Sequence, residues 1–197
     1  MSLSDYLNGV GVVYHEGYCE QVPKQVDDLI WLIKDKNINN IAEIGFNAGH
    51  SANTFLKNNN SLILTSFDLG MYSYVYQGKQ YIDANYPNRH TLIVGDSRTT
   101  VPAFINANKQ TKFDLIFIDG GHEYDVSKSD LENCFHLAHK DTIVIMDDTI
   151  FTNGWEAQYT IGPTRAWKEF LSENKVIEIS RKEYEPYRGM CWGKYAF

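Results

Sequence analysis

Two stretches concentrate residue types that can do acid, base or metal chemistry. They are Phe113-Asp-Leu-Ile-Phe-Ile-Asp119-Gly-Gly-His122-Glu-Tyr124 and, one helix length later, Ile145-Met-Asp147-Asp148-Thr149. The acidic groups stand at the ends of short apolar runs of the kind that form buried strands. If those strands are neighbours, Asp119, Asp147 and Asp148 converge at one sheet edge. Three carboxylates so placed raise one another's pKa, and a bound cation relieves the repulsion. Oxygen ligands select a hard divalent ion, Mg²⁺ first, with Mn²⁺ or Ca²⁺ as substitutes. Consecutive strand residues face opposite ways, so one of Asp147 and Asp148 must already lie on the turn. The alternative is that one of the two merely caps a helix.

A second constellation follows the first apolar run, where Glu43-Ile-Gly45-Phe-Asn47-Ala-Gly49-His-Ser51 opens a helix. Glycine lets the backbone turn tightly and approach a ligand, and a helix N-terminus offers free N–H groups to an anionic end. The same glycines would also serve a bare strand-to-helix turn. Asp68 closes the second apolar run, where a carboxylate can accept hydrogen bonds from ribose hydroxyls. Together the two features point to a nucleoside cofactor. The third run ends Gly95-Asp96-Ser97-Arg98, whose side chains can reach an adenine edge or cap the following helix.

The elements that must carry these groups alternate along the chain. Apolar runs at 41–46, 62–68, 91–96, 113–119 and 142–148 read as buried parallel strands. A helix over Gln21–Lys36, with Pro23 in its first turn, precedes them. Helices over Ser51–Lys57, Val75–Tyr86, Val101–Lys109 and Asp125–His139 separate them, the last carrying His136 and His139 as solvated residues. This rhythm predicts an α/β, Rossmann-like doubly wound sheet with ligands at the carboxyl ends of its strands. A last helix over Pro163–Ser172 and two runs at 175–180 and 190–197, joined by a turn, predict an antiparallel addition to a mostly parallel sheet. The whole chain, 1–197, reads as one domain. Phe151–Arg165, with Trp155 and Tyr159, should shape an acceptor pocket, and the aromatic segment Tyr6–Tyr18 is either a second wall or a dimer contact.

Composition narrows the partners. The 197 residues carry a net charge of −7 with no basic cluster, against a nucleic-acid or anionic-membrane binder. No apolar run approaches a bilayer span, and the first residues lack the pattern of a signal peptide. Cys19, Cys134 and Cys191 form no CxxC pair, so neither a disulfide framework nor a zinc site is indicated, and a reducing cytoplasm is the expected setting.

The sequence Ala42-Glu-Ile-Gly-Phe-Asn-Ala-Gly-His-Ser-Ala52 resembles the first motif of class I S-adenosylmethionine-dependent methyltransferases, in the form found in the catechol O-methyltransferase group. Asn47 stands where many class I enzymes outside that group have glycine. The resemblance runs from about Gln21 to the last strand and implies the seven-stranded methyltransferase fold. It also implies that Glu43, Gly45, Asn47, Gly49 and Ser51 surround the methionine part of S-adenosyl-L-methionine. Asp68 would hold the ribose, Leu69 would pack on the adenine, and Ser97 and Arg98 would flank it. The acidic triad resembles that of metal-dependent O-methyltransferases, and DGGHxY with the later DDT resembles a branch that includes antibiotic-sugar enzymes. This implies that Asp119, Asp147 and Asp148 ligate Mg²⁺ or another divalent ion. His122 takes the general base's place, and Asp119 also lies beside the cofactor. The chemistry agrees, since a hydroxyl bound to a divalent ion loses its proton more readily and a nearby imidazole can accept it.

The expected activity is methyl transfer to a hydroxyl of a small sugar-like or phenol-like molecule, by a homodimer. Two alternatives stand beside it. One is a noncatalytic cofactor-binding protein of the same fold. The other is a short-chain-type NAD(P)-dependent dehydrogenase, suggested by the YxxxK pair Tyr124 and Lys128.

Overall fold

The computed structural model describes all residues, 1–197. Helix α1 (Leu3–Gly9) is followed by a 3₁₀ turn (Cys19–Gln21) and α2 (Pro23–Asp35). Then β1 (Asn40–Ile44), α3 (His50–Asn58), β2 (Ile63–Asp68), α4 (Ser73–Asn85), β3 (His90–Val94), α5 (Ser97–Ala107), β4 (Phe113–Ile118), α6 (Tyr124–Phe135) and β5 (Ala138–Asp147) alternate. The chain ends with α7 (Gln158–Ser172), β6 (Val176–Glu185) and β7 (Arg188–Tyr195).

All seven strands form one sheet in the order β3-β2-β1-β4-β5-β7-β6. Strands β1 to β5 are parallel, and β7 runs antiparallel to both β5 and β6. The sheet is the doubly wound, Rossmann-like one expected. Its apolar runs are explained by a core on each face, one cluster of 26 buried residues and one of 19. The order reverses between β1 and β4, which places the carboxyl ends of both beside the crevice where such sheets bind ligands.

Several boundaries differ from the expected ones. Helix α6 stops at Phe135 rather than His139: His136 is its cap, and His139 lies in β5. Strand pairing wins there, because Phe113 pairs with Ala138 and its N–H is bonded to the Leu137 carbonyl. Helix α7 begins at Gln158, with Pro163 inside it. Helix α1 was not expected. Its signal is a capping box, in which Ser2 Oγ accepts the Asp5 N–H at 3.1 Å and the Asp5 carboxylate accepts the Ser2 N–H at 3.2 Å. Tyr6 of α1 packs on Tyr81 of α4, their rings 5.4 Å apart.

Candidate active site

The loop after β1 turns back on itself through Gly45, whose φ of +94° lies in the left-handed region. A Cβ there would lie 1.9 Å from the Asp119 carbonyl oxygen, so the absence of a side chain lets the β1 and β4 loops touch. Asp68 organises the same loop. Its Oδ2 accepts the N–H groups of Phe46 at 3.0 Å and Asn47 at 2.8 Å, while Oδ1 accepts that of Gly70 at 2.7 Å. Asn47 has a φ of +51°, and its Oδ1 is buried without a hydrogen-bond partner. Gly49 caps α3, placing Ser51 in the helix's first turn.

Glu43 lies beneath this loop. Its side chain is fully buried, and its oxygens accept Ser51 Oγ and Ser66 Oγ, each at 2.5 Å. Burial pushes the Glu43 carboxyl up to about 7 against the lowering influence of those hydroxyls. Leu69, next to Asp68, is more than half exposed at the sheet's carboxyl edge. Asp96 caps α5 by accepting the Arg98 N–H, and the Arg98 guanidinium folds back on the Asp96 carboxylate at 2.6 Å. The capping alternative therefore describes Asp96. Ser97 is the first helical residue, and Arg98 lies at the surface.

At the other end of the crevice, β4 and β5 are neighbours, so Asp119 and the Asp147–Asp148 pair do converge. Asp147 is the last residue of β5, and Asp148 has left the strand with a φ of +53°. That turn resolves the facing conflict. Neither residue caps a helix, since α7 begins only after Ala157. Ligand atoms of Asp119, His122 and Asp148 lie within 4.8 Å of one another. His122 Nε2 is 2.9 Å from Asp148 Oδ2, so His122 is tied to the cluster rather than being a free turn residue.

The Asp147 carboxylate is turned toward α2. Gln25, fully buried, donates Nε2–H to both of its oxygens, at 2.7 and 2.8 Å. The grouping expected from the sequence, Asp119 with Asp147 and Asp148, is thus modified. The three carboxylates are near neighbours, but the tight cluster contains His122, and Asp147 is clamped from behind. Burial first, then the charges of Asp147 and Asp148, raises Asp119 well above the usual carboxylate range. Asp147 is pushed up to about 7 by burial and by Asp148. Partial burial disfavours the His122 imidazolium, but its hydrogen bond to Asp148 and the acidic charges around it hold its pKa above the ordinary value.

The surrounding walls come from both chain ends. Gly162 of α7 packs against the His122 loop, where a Cβ would lie 2.1 Å from the His122 carbonyl oxygen. The ring of Tyr159 then lies 5.5 Å from the imidazole. Tyr159 is fixed by donating its hydroxyl to the Tyr187 carbonyl at 2.9 Å. From the N-terminal segment, Tyr18 stacks on His50 with ring centroids 4.1 Å apart, and His50 Nδ1 faces Glu20 at 3.0 Å. Tyr18, at the end of the Tyr6–Tyr18 segment, is therefore packed on its own chain.

Gln25 and Arg188, which holds the Tyr18 carbonyl at 3.3 Å, are site residues that sequence reasoning missed. Their partners lie far away in the chain, 122 residues in the case of Gln25 and Asp147, so no local spacing reveals them. Tyr124 and Lys128 do not form a dehydrogenase pair. Both bond to Glu169 of α7, and Arg165 lies over the tyrosine ring at 3.8 Å.

A family model described as a methyltransferase domain matches residues 42–149, from β1 to just past the acidic pair. The chain belongs to that family. This membership overturns the dehydrogenase alternative. No curated protein matches the sequence. Among solved structures the fold is similar to that of an O-methyltransferase from Bacillus cereus in complex with S-adenosylhomocysteine, with a TM-score of 0.77 and 18% identity, covering 98% of this chain and 90% of that one. It is similar too to the O-methyltransferase TomG from Streptomyces achromogenes in complex with S-adenosylmethionine, at 0.75 and 15%, covering 99% and 88%. A third is CalS11, the TDP-rhamnose 3′-O-methyltransferase of calicheamicin biosynthesis, at 0.67 and 20%, covering 99% and 92%. No helix of this methyltransferase is long and apolar enough to cross a membrane.

Proposed function

We propose that this chain transfers a methyl group from S-adenosylmethionine to a hydroxyl of a small sugar-like or phenol-like acceptor. The observation that carries the reading is His122 bonded to Asp148 beside Asp119, at the carboxyl ends of adjacent strands and next to the Gly45–Ser51 loop. S-adenosylmethionine supplies the methyl on a sulfonium sulfur. Gly45, Asn47, Gly49 and Ser51 bound its methionine end, Asp68 faces the ribose, and Leu69 with Ser97 and Arg98 bounds the adenine. Glu43, being buried, acts through Ser51.

The donor set also suits a hard divalent ion. Two carboxylates and an imidazole lie within ligand reach, and burial with the charges of Asp147 and Asp148 holds Asp119 above the usual carboxylate range, a repulsion that a bound cation would relieve. Asp119 and Asp148, with Asp147 behind them, would hold Mg²⁺, which polarises a bound hydroxyl. When His122 Nε2–H donates to Asp148, Nδ1 is free to accept the hydroxyl proton. The oxygen then attacks the methyl carbon in line. The O–C bond forms as the C–S bond breaks, and S-adenosylhomocysteine leaves as a neutral thioether. Tyr159 lies beside the His122 imidazole on one side of this reaction.

The reading also takes the functional unit as a homodimer, given the prevalence of symmetric dimers. A monomeric mass in light scattering at micromolar concentration would end that part. The main test is transfer of a labelled methyl group across sugar and phenol acceptors, with and without Mg²⁺. Transfer to at least one hydroxyl, abolished by His122→Ala, is expected. Cofactor binding without transfer to any acceptor class would favour a noncatalytic cofactor-binding protein instead.

A further inference from the structure

A line of polar side chains crosses the otherwise apolar core beneath the cofactor loop. Strands β1, β2 and β3 each give one residue to it. Ser66 is paired in register with Glu43, and His90 is two positions back along the neighbouring strand. His90 Nε2 lies 2.9 Å from Ser66 Oγ, Ser66 Oγ donates to Glu43 Oε2, and Ser51 Oγ donates to Glu43 Oε1. Ser66 and Glu43 are fully buried, and His90 is 8% exposed. Because the Ser66 proton is committed to Glu43, the histidine must donate, which fixes Nε2–H as its tautomer. His90 Nδ1 is left buried and without a partner. The imidazole is also stacked on Phe46 of the cofactor loop, with centroids 4.9 Å apart.

We propose that Ser66 and His90 are positioning residues for the cofactor. Through them the sheet interior orients the Glu43 carboxylate, which in turn fixes Ser51 at the start of α3. This inference rests on the reading of the Gly45–Ser51 loop as the methionine-binding loop. The physical reason for the chain is that a buried carboxylate among apolar side chains stays ionised only if hydroxyl and N–H donors surround it. Two hydroxyls bond to Glu43 directly, and His90 strengthens one of them by bonding behind it. The other charge facing the line is Asp68 at the end of β2, which opposes ionisation of Glu43, and Glu43 in turn helps to raise Asp119 at the end of β4. Lys79 and Asp83 of α4 flank His90. Burial drives the His90 imidazole down to about 3, so it is a neutral donor throughout the working range.

The test uses the full chain with Ser66→Ala, His90→Phe and His90→Gln. The phenyl ring preserves the stack on Phe46 without a donor, and glutamine restores an N–H. The Glu43 carboxyl is titrated by infrared difference spectroscopy, with Glu43→Gln as the assigning control, and S-adenosylhomocysteine affinity is measured calorimetrically across the same pH range. In Ser66→Ala and His90→Phe the Glu43 titration should move upward. Affinity near neutral pH should fall about fivefold, the scale of one net hydrogen bond. The ratio to wild type should close at alkaline pH, where Glu43 is ionised in every variant, and His90→Gln should recover most of the loss. Equal weakening at every pH with an unmoved Glu43 titration would overturn the proposal. If the wild type fails to bind S-adenosylhomocysteine, the reading of the loop fails by itself. The Glu43 titration in the unliganded protein still decides whether Ser66 and His90 control that carboxylate.

Discussion

The buried pair Glu43 and His90 should give stability two opposing pH dependences, which single substitutions can separate. His90 titrates near 3 in the folded protein, lowered chiefly by burial and then by Lys79. Its contribution is therefore present above the unfolded value and is lost as pH falls. Glu43 titrates near 7, raised chiefly by burial. Its contribution is present below the unfolded carboxylate value and is lost as pH rises toward 7. Linkage converts these displacements into a change of about 2 kcal/mol for each residue between about pH 5 and pH 7, with opposite signs. Urea denaturation of wild type, His90→Phe and Glu43→Gln at both pH values reads the difference directly. Asp130 and Asp147 titrate abnormally too but are common to all three proteins; Asp119, raised in part by Glu43, is relieved in Glu43→Gln, and an upward move of Glu43 in His90→Phe adds to that variant's loss, so both couplings act in the directions expected. The destabilisation by His90→Phe should grow by about 2 kcal/mol on going from pH 5 to 7, whereas Glu43→Gln should gain about as much on wild type. Curves displaced by the same amount at both pH values would show that neither residue is held in the displaced state argued from its burial.

Three further outcomes follow from the site. Asp68→Ala removes the acceptor of three loop amides, so S-adenosylhomocysteine affinity should weaken by about 1.5–3 kcal/mol, and unchanged calorimetric affinity would remove Asp68 from the site. His122→Ala should lower turnover by about 10²–10⁴-fold with cofactor binding nearly intact, whereas wild-type rates across pH 6–9 would leave His122 a loop residue; full activity in excess chelator would sink the metal assignment. Gly45→Ala combines a left-handed backbone with a Cβ 1.9 Å from the Asp119 carbonyl, so a loss above about 3 kcal/mol is expected in thermal or urea unfolding, and a near-neutral result would mean that the two loops do not touch.

The fold was legible because parallel strands buried on both faces are continuous apolar runs, and each run stops at a residue with a task. Asp68, Asp119 and Asp147 all mark such ends. What local pattern could not show was competition between neighbouring elements. Leu137 and Ala138 continue the helical spacing of α6, yet pairing with β4 draws them toward the sheet, which is why His139 is a strand residue. The capping box of α1 was visible at Ser2 and Asp5, but a helix of seven residues has little apolar periodicity to announce it. The Gln25 clamp on Asp147 was invisible for a different reason: the α2 sequence explains its burial equally well as ordinary packing.

That clamp bears on how two consecutive aspartates divide their work. Were both still in extended backbone, they would point to opposite faces of the sheet, and only one could serve the crevice. The left-handed turn at Asp148 brings its carboxylate to His122, while Asp147 keeps its strand geometry and is met by Gln25. Asp148 also donates its own N–H to Asp147 Oδ1 at 2.9 Å, so the first carboxylate helps to hold the turn that aims the second. The energetic logic is the same on both sides of the crevice. Glu43 is satisfied by two serines so that Ser51 is placed, and Asp147 is satisfied by Gln25 so that Asp148 is placed. In each case a deeply buried carboxylate is fixed by neutral donors, so its hydrogen-bonding need is met without a direct ion pair.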